Sequence, residues 1–157
     1  MSEAASTEQA QPIFNIEKLY IKDLSLEVPH APNIFLERAN PQIDLQLHTE
    51  HAAIDEGVYE VTITITLTAK LAEKDKVMFL IEAKQAGIFR VQNIPESELE
   101  SVLGIVCPNI LYPYIREVVT DVSVRAGFAP VLLNPINFEA LYQQKKAHAD
   151  AAANTKH

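Results

Sequence analysis

Cysteine is nearly absent: Cys107 stands alone among 157 residues, which excludes an internal disulfide framework and fits a reducing compartment. Glycine is scarce too. The four glycines, at 57, 87, 104 and 127, are too scattered to make a phosphate-cradling loop, and no G-x-S-x-G nucleophile turn occurs. Positive charge is short, with 13 Lys and Arg against 21 Asp and Glu and a formal net charge of -8. That balance argues against nucleic acid or an anionic membrane surface as the main partner, because both demand clustered Lys and Arg. No window approaches the roughly 18 consecutive apolar residues of a membrane span. Residues 1–12 hold Glu3 and Glu8 but no Lys, Arg or apolar stretch, unlike a secretory signal, so the expected location is the cytosol.

Apolar residues are plentiful at 48 %, enough in a chain of this length for one domain with a core. Both ends read as disordered tails, 1–12 and 147–157, whose small and polar residues bury too little apolar surface to offset their ordering entropy. One domain is left over 13–146. Its clearest signal is VYEVTITITLTAKL at 58–71, where Tyr59, Val61, Ile63, Ile65, Leu67, Ala69 and Leu71 alternate with polar partners. Period two with β-branched side chains predicts a strand buried on one face. Turn-like, charged residues flank it at 55–57 and 73–76, so residues 42–49 and 77–91 are expected as hairpin partners, with a bend at Gly87. Residues 13–28 also read as extended, with Phe14, Ile16, Tyr20, Leu24 and Leu26 on the even face and apolar residues on the other face as well.

After Ile94-Pro95 the period lengthens. Pro95, Ser97, Glu98 and Glu100 predict a helix start, and Leu111, Tyr114, Ile115, Val118, Val119 and Val122 make one helical stripe within 109–126. Pro108 and Pro113 predict a broken or kinked first part, and Gly127 a C-cap. A last helix is expected with Asn137 as N-cap and Phe138, Leu141 and Tyr142 as its short apolar stripe. Strands first and helices last give an α+β fold, a four-stranded antiparallel sheet with two main helices on one side.

Chemistry-bearing patterns are few. His48 and His51 are three apart, which on a strand end points them to opposite faces, and no histidine has metal-ligand spacing around it. Cys107 lacks a histidine base that the sequence places within reach, and no two carboxylates stand out as an acid/base pair. The surplus of apolar residues in extended segments is the oddity. With helices on one side only, an apolar sheet face is expected to be left uncovered, and such a patch points to an oligomer or to a protein that binds other apolar chains.

The run Cys107-Pro-Asn-Ile-Leu-Tyr-Pro-Tyr-Ile-Arg-Glu117 strongly resembles the SecB family of bacterial protein-export chaperones. Four further stretches agree in order: 20–27 (YIKDLSLE), 58–61 (VYEV), 79–89 (FLIEAKQAGIF) and 134–142 (NPINFEALY), so the resemblance spans about residues 13–145. It implies a dimer of dimers whose sheets join across subunits with the long helices between them. It also implies binding of unfolded precursor proteins without ATP or any cofactor, and their transfer to the SecA motor ATPase. By position, Ile43, Leu45, Leu47, Leu141 and Tyr142 match the family's client groove, and Asp23, Glu27, Leu80 and Glu82 its acidic motor-docking patch. Ile81, Ala83 and Gln85 match positions that bear on assembly. Two departures stand out: Ile81 where relatives often carry Cys, and Ala129 where a Pro is common before Pro130. The alternative reading is an enzyme or small-ligand protein using a cavity near Cys107, which a solvent-inaccessible thiol would contradict.

Overall fold

The computed structural model describes residues 10–154. Four long strands, β1 (Ile13–Glu27), β2 (Pro41–Asp55), β3 (Val58–Leu71) and β4 (Lys76–Gln92), form one sheet in the order β1-β4-β3-β2, every neighbouring pair antiparallel. The hairpin β2–β3 turns at Gly57, whose φ of +69° suits glycine. Pairing continues up to this turn, so β2 runs six residues beyond the alternation expected at 42–49. β1 and β2 occupy opposite edges, and residues 28–40 cross the end of the sheet between them. That crossing is pinned by buried Ile34 and by Phe35, which stacks on Phe128 as Phe128 stacks on Phe79.

Helix α1 (Glu96–Ser101) starts after Pro95 with Glu96 and Glu98 in its first turn, where the helix dipole favours negative charge. It passes through a π-helical turn, Val102–Val106, into α2 (Cys107–Arg125). The helix runs without a break from Glu96 to Arg125, with Pro113 inside α2, and the irregularity expected near Pro108 takes the form of this π turn. A proline ring crowds the carbonyl four residues back, and the widened π turn ends just before Pro108, where that crowding would fall. The combined helix is long and apolar enough by composition to cross a bilayer, yet its stripe Leu103, Cys107, Leu111, Ile115, Val119 and Val122 is buried, with α2 packed on β3 and β4. On the sheet the stripe meets Val61, Ile63, Ile65, Leu67 and Ala69 of β3, each 0 % exposed, together with Phe79, Ile81, Ala83 and Phe89 of β4. β4 continues unbroken through Gly87. A side chain at Gly87 would lie 2.7 Å from the Phe89 ring and 3.1 Å from Leu111, so glycine serves the close helix–sheet approach.

Directly opposed residues in a sheet share a face, so the register sorts every side chain to the helix side or to the back face. For β1 this corrects the expected even face. Phe14, Ile16, Leu19, Ile21, Leu24 and Leu26 pair with Val91, Phe89, Gly87, Gln85, Ala83 and Ile81, and all six lie on the helix side, whereas Tyr20 lies on the back. The apolar set changes parity twice because β-bulges insert an extra residue at Glu17 and again at Lys22. Both inserted residues are charged and each finds a partner on another strand: Glu17 with Arg90 of adjacent β4 at 2.6 Å, Lys22 with Glu60 of β3, across β4, at 2.6 Å. The back face is polar, with Thr62, Thr64, Thr66 and Thr68 in a row along β3. The uncovered apolar surface is therefore on the helix side, beyond the reach of α2.

The long helix ends as expected at Gly127, φ +93°. The Phe128 amide bonds the Ser123 carbonyl and the Gly127 amide the Val124 carbonyl, a Schellman arrangement. The following loop is tied back to α2 through Thr120 and Ser123, which bond the Val131 carbonyl and amide, and through the Tyr112 hydroxyl, which donates to the Asn134 carbonyl. Asn137 caps the last helix, α3 (Phe138–Asn154), by accepting the Ala140 amide at 3.0 Å. α3 corrects the expected tail over 147–157, since residues 147–154 are helical. Ala147, Ala149 and Ala151–Ala153 are poor core formers but the best helix formers, so a stretch that buries little still extends a capped helix. Residues 10–12 are exposed and irregular, while the expected tail residues 1–9 and 155–157 lie outside the described residues.

Substituting Gly127→Ala places a side chain in a left-handed conformation and a Cβ 2.9 Å from the Phe35 ring. The expected cost is about 1–2 kcal/mol, read as a lower urea midpoint with unchanged slope.

Candidate functional site

α2 covers the two central strands and leaves the edge strands less protected. On the β2 edge, Ile43, Leu45, Leu47, Thr49 and His51 pair with Ala69, Leu67, Ile65, Ile63 and Val61 and so share the helix side. α3 stands over this strip, and the space between is an open groove of about 580 Å³. Leu47 and Thr49 form its floor, Phe138, Leu141 and Tyr142 its wall, and Gly104 of the π turn its end. Gly104 has a reason to be glycine, since a Cβ there would sit 2.6 Å from the Tyr142 ring, so α3 docks directly on helix backbone. Across the groove the Lys145 ammonium donates to the Thr49 carbonyl at 3.3 Å and to its hydroxyl at 3.1 Å, tying α3 to β2. The structure thus brings Leu47, Leu141 and Tyr142 together. Ile43 and Leu45 continue the same strand face outside the groove lining, at 39 % and 37 % exposure.

The acidic residues gather elsewhere. Asp23, Ser25 and Glu27 pair with Lys84, Glu82 and Leu80, which places Asp23, Glu27, Leu80 and Glu82 together on the back face. Ile81, Ala83 and Gln85 occupy the other face and are core residues of the single chain, 1 %, 0 % and 4 % exposed. Gln85 is satisfied by donating its side-chain amide to the Tyr20 carbonyl at 3.1 Å.

Beside the acidic group lies a cluster that the sequence did not single out. The Tyr20 hydroxyl and the Lys22 ammonium both donate to the Glu60 carboxylate, which reaches them across β4. The Lys22 bond, then the Tyr20 bond, hold the Glu60 carboxyl below the usual carboxylate range, and the same bond raises Lys22. Burial, followed by the bond to Glu60, pushes the Tyr20 phenol up to about 12. These residues are 38 and 40 positions apart in sequence, and no local pattern links them. The bulges did leave a signal: the apolar series 14, 16, 19, 21, 24, 26 skips to a spacing of three at both charged insertions.

Neither chemical alternative gains support. Cys107 is fully buried under the sheet, burial pushes its thiol up to about 12, and no hydrogen bond joins it to a histidine among the described residues. A nucleophile needs a thiolate and access, and this site provides neither. His48 and His51 do point to opposite faces of β2, paired with Thr64 and Val61. Among the described residues, no three His, Cys, Asp or Glu side chains cluster as a metal site.

The structure thus presents an open, largely apolar groove on one side of the sheet and a separate charged face behind it. Comparison with known proteins makes this specific. The family model described as "SecB: Preprotein translocase subunit SecB" matches residues 7–149. The protein-export protein SecB of Nitrosomonas eutropha is 62 % identical over 141 residues, 90 % of this chain and 88 % of that one. That of Methylobacillus flagellatus is 53 % identical over 156 residues, 99 % and 98 % of the two chains. The fold is also similar to that of a Mycobacterium tuberculosis SecB-like chaperone solved with an antitoxin peptide. The TM-score is 0.63 at 20 % identity, covering 78 % of this chain and 90 % of that one. The chain belongs to the SecB family of protein-export chaperones.

With a pKa near 12 and no access, Cys107 is expected to resist thiol reagents at pH 7–9 and to react only on unfolding. Thiol titration with and without denaturant checks this; rapid native labelling would contradict the buried geometry.

Proposed function

We propose that the groove between β2 and α3 holds unfolded precursor proteins in the cytosol without ATP, and that the acidic back face hands them to the SecA motor ATPase. The observation that carries the reading is the separation itself, with Leu47, Leu141 and Tyr142 on the helix side and Asp23, Glu27, Leu80 and Glu82 on the back. An extended client segment lays apolar side chains on Leu47 and Leu141, with Ile43 and Leu45 lengthening the strip. Apolar burial is non-directional, which suits clients that share no sequence beyond being unfolded. Burying two large side chains contributes about 3–6 kcal/mol, so one groove alone binds weakly, on the order of millimolar. Useful affinity then requires several grooves acting on one client.

Assembly supplies them. The helix-side face of β1 leaves Phe14, Ile16, Ile21, Leu24 and Leu26 between 37 % and 46 % exposed along a sheet edge with unpaired backbone groups. A second copy covering this face forms a dimer, and two dimers form the tetramer. Ile81, Ala83 and Gln85 are buried within the chain beside Leu26, Leu24 and Ile21 on the same face, so they bear on assembly by packing against these β1 side chains rather than by contacting the second copy.

Light scattering is expected to give four times the chain mass, and a monodisperse monomer would overturn the assembly. Leu47→Asp with Leu141→Asp is expected to weaken precursor binding at least tenfold at unchanged mass. Asp23→Lys with Glu82→Lys is expected to weaken SecA binding, measured by calorimetry, and to spare precursor binding. Binding of SecA to the parent chain should itself weaken with salt, as charge pairing between exposed groups does. Equal loss of both activities in either variant would contradict two separate faces.

A further inference from the structure

The back-face position of Asp23 and Glu27 depends on one inserted residue. Ile21 pairs with Gln85 and Asp23 with the next residue of β4, Lys84, so Lys22 is the unpaired member of a bulge. In a regular strand Asp23 would follow Ile21 to the helix side, and Leu24 and Leu26 would turn to the back; a one-residue slip exchanges the faces. The bulge is thus what puts Asp23 and Glu27 beside Leu80 and Glu82. It is held from both sides. On the back face Glu60 takes the Tyr20 hydroxyl through one carboxylate oxygen and the Lys22 ammonium, at 2.6 Å, through the other. On the helix side Gln85 satisfies the Tyr20 carbonyl at 3.1 Å. Tyr20 can reach Glu60 across β4 because the residue opposite it there is the small Ala86.

We infer that Glu60 is a positioning residue for docking: by clamping Tyr20 and Lys22 on either side of Ile21, it holds the bulge that aims Asp23 and Glu27 at the partner. This rests on the reading of the back face as the SecA-docking surface. Glu60 acts through β1 and makes its contribution without touching the partner.

Electrostatics alone and positioning make opposite forecasts. Breaking the clamp from the β1 side, with Tyr20→Phe and Lys22→Met, removes a positive charge and makes the face more acidic. If charge were all that mattered, a basic docking segment would bind this variant as well or better. Positioning requires it to bind about tenfold more weakly, with faster amide exchange at 21–25 and unchanged exchange in β3. Glu60→Ala should show the same exchange and the same loss, and Lys22→Arg, which keeps the ion pair, should restore parent behaviour. Precursor binding and solution mass confirm that each variant is folded. Parent-like or tighter docking by the Tyr20→Phe/Lys22→Met variant overturns the proposal, as does unchanged exchange at 21–25. Asp23→Lys separates the underlying reading: if it docks normally, the docking surface is misassigned and the positioning role falls with it. The exchange data on Glu60→Ala then still report whether the clamp holds the bulge.

Discussion

The packing of the Glu96–Arg125 helix on β3 and β4 decides which side of the sheet is core. Leu111, Ile115 and Val119 lie against strand residues that are 0 % exposed, and Gly87 allows the backbones to come close. Side chains alternate along a strand, so once one side is core the other must carry the polar set. Thr62, Thr64, Thr66 and Thr68 on the back of β3 are the direct result.

One helix covers two strands, and the sheet has four. The two edges therefore keep apolar strips that nothing in a single chain fully buries, and the protein treats them differently. The β2 strip is roofed by α3, which touches helix backbone at Gly104 and reaches back to Thr49 through Lys145, leaving a groove instead of a core. The β1 strip stays open as a flat apolar face along a strand edge, the kind of surface that a second copy of a chain covers. Incomplete coverage is thus the common origin of the proposed client site and the proposed subunit contact. The bulges in β1 add a second consequence, because they keep Phe14, Ile16, Leu19, Ile21, Leu24 and Leu26 on that open face while turning Asp23 and Glu27 to the back.

Much of the fold was legible in the residues. The alternation of 58–71, the Gly127 C-cap, the Asn137 N-cap and the opposite facing of His48 and His51 all follow from local rules, and the structure bears them out. Where local reading missed, competing effects explain it. The π turn falls where crowding from Pro108 is expected, the alanines of 147–154 favour helix even though they bury little, and two inserted residues hide the true period of β1. In the candidate site Leu47, Leu141 and Tyr142, matched to a groove by family resemblance, line one groove, and no local pattern points to Gly104, Thr49 and Lys145 beside them. Their roles come from contacts between segments up to 96 residues apart.

What the sequence alone determined is therefore local and periodic: which stretches are strands and helices, where they are capped, and that apolar residues exceed what two helices can cover. Only the tertiary structure decided which edge became a groove, which stayed an open face, and that Tyr20, Lys22 and Glu60 meet. The physical reason is that period and capping act within a few residues, while coverage and pairing across strands depend on where distant segments come to rest.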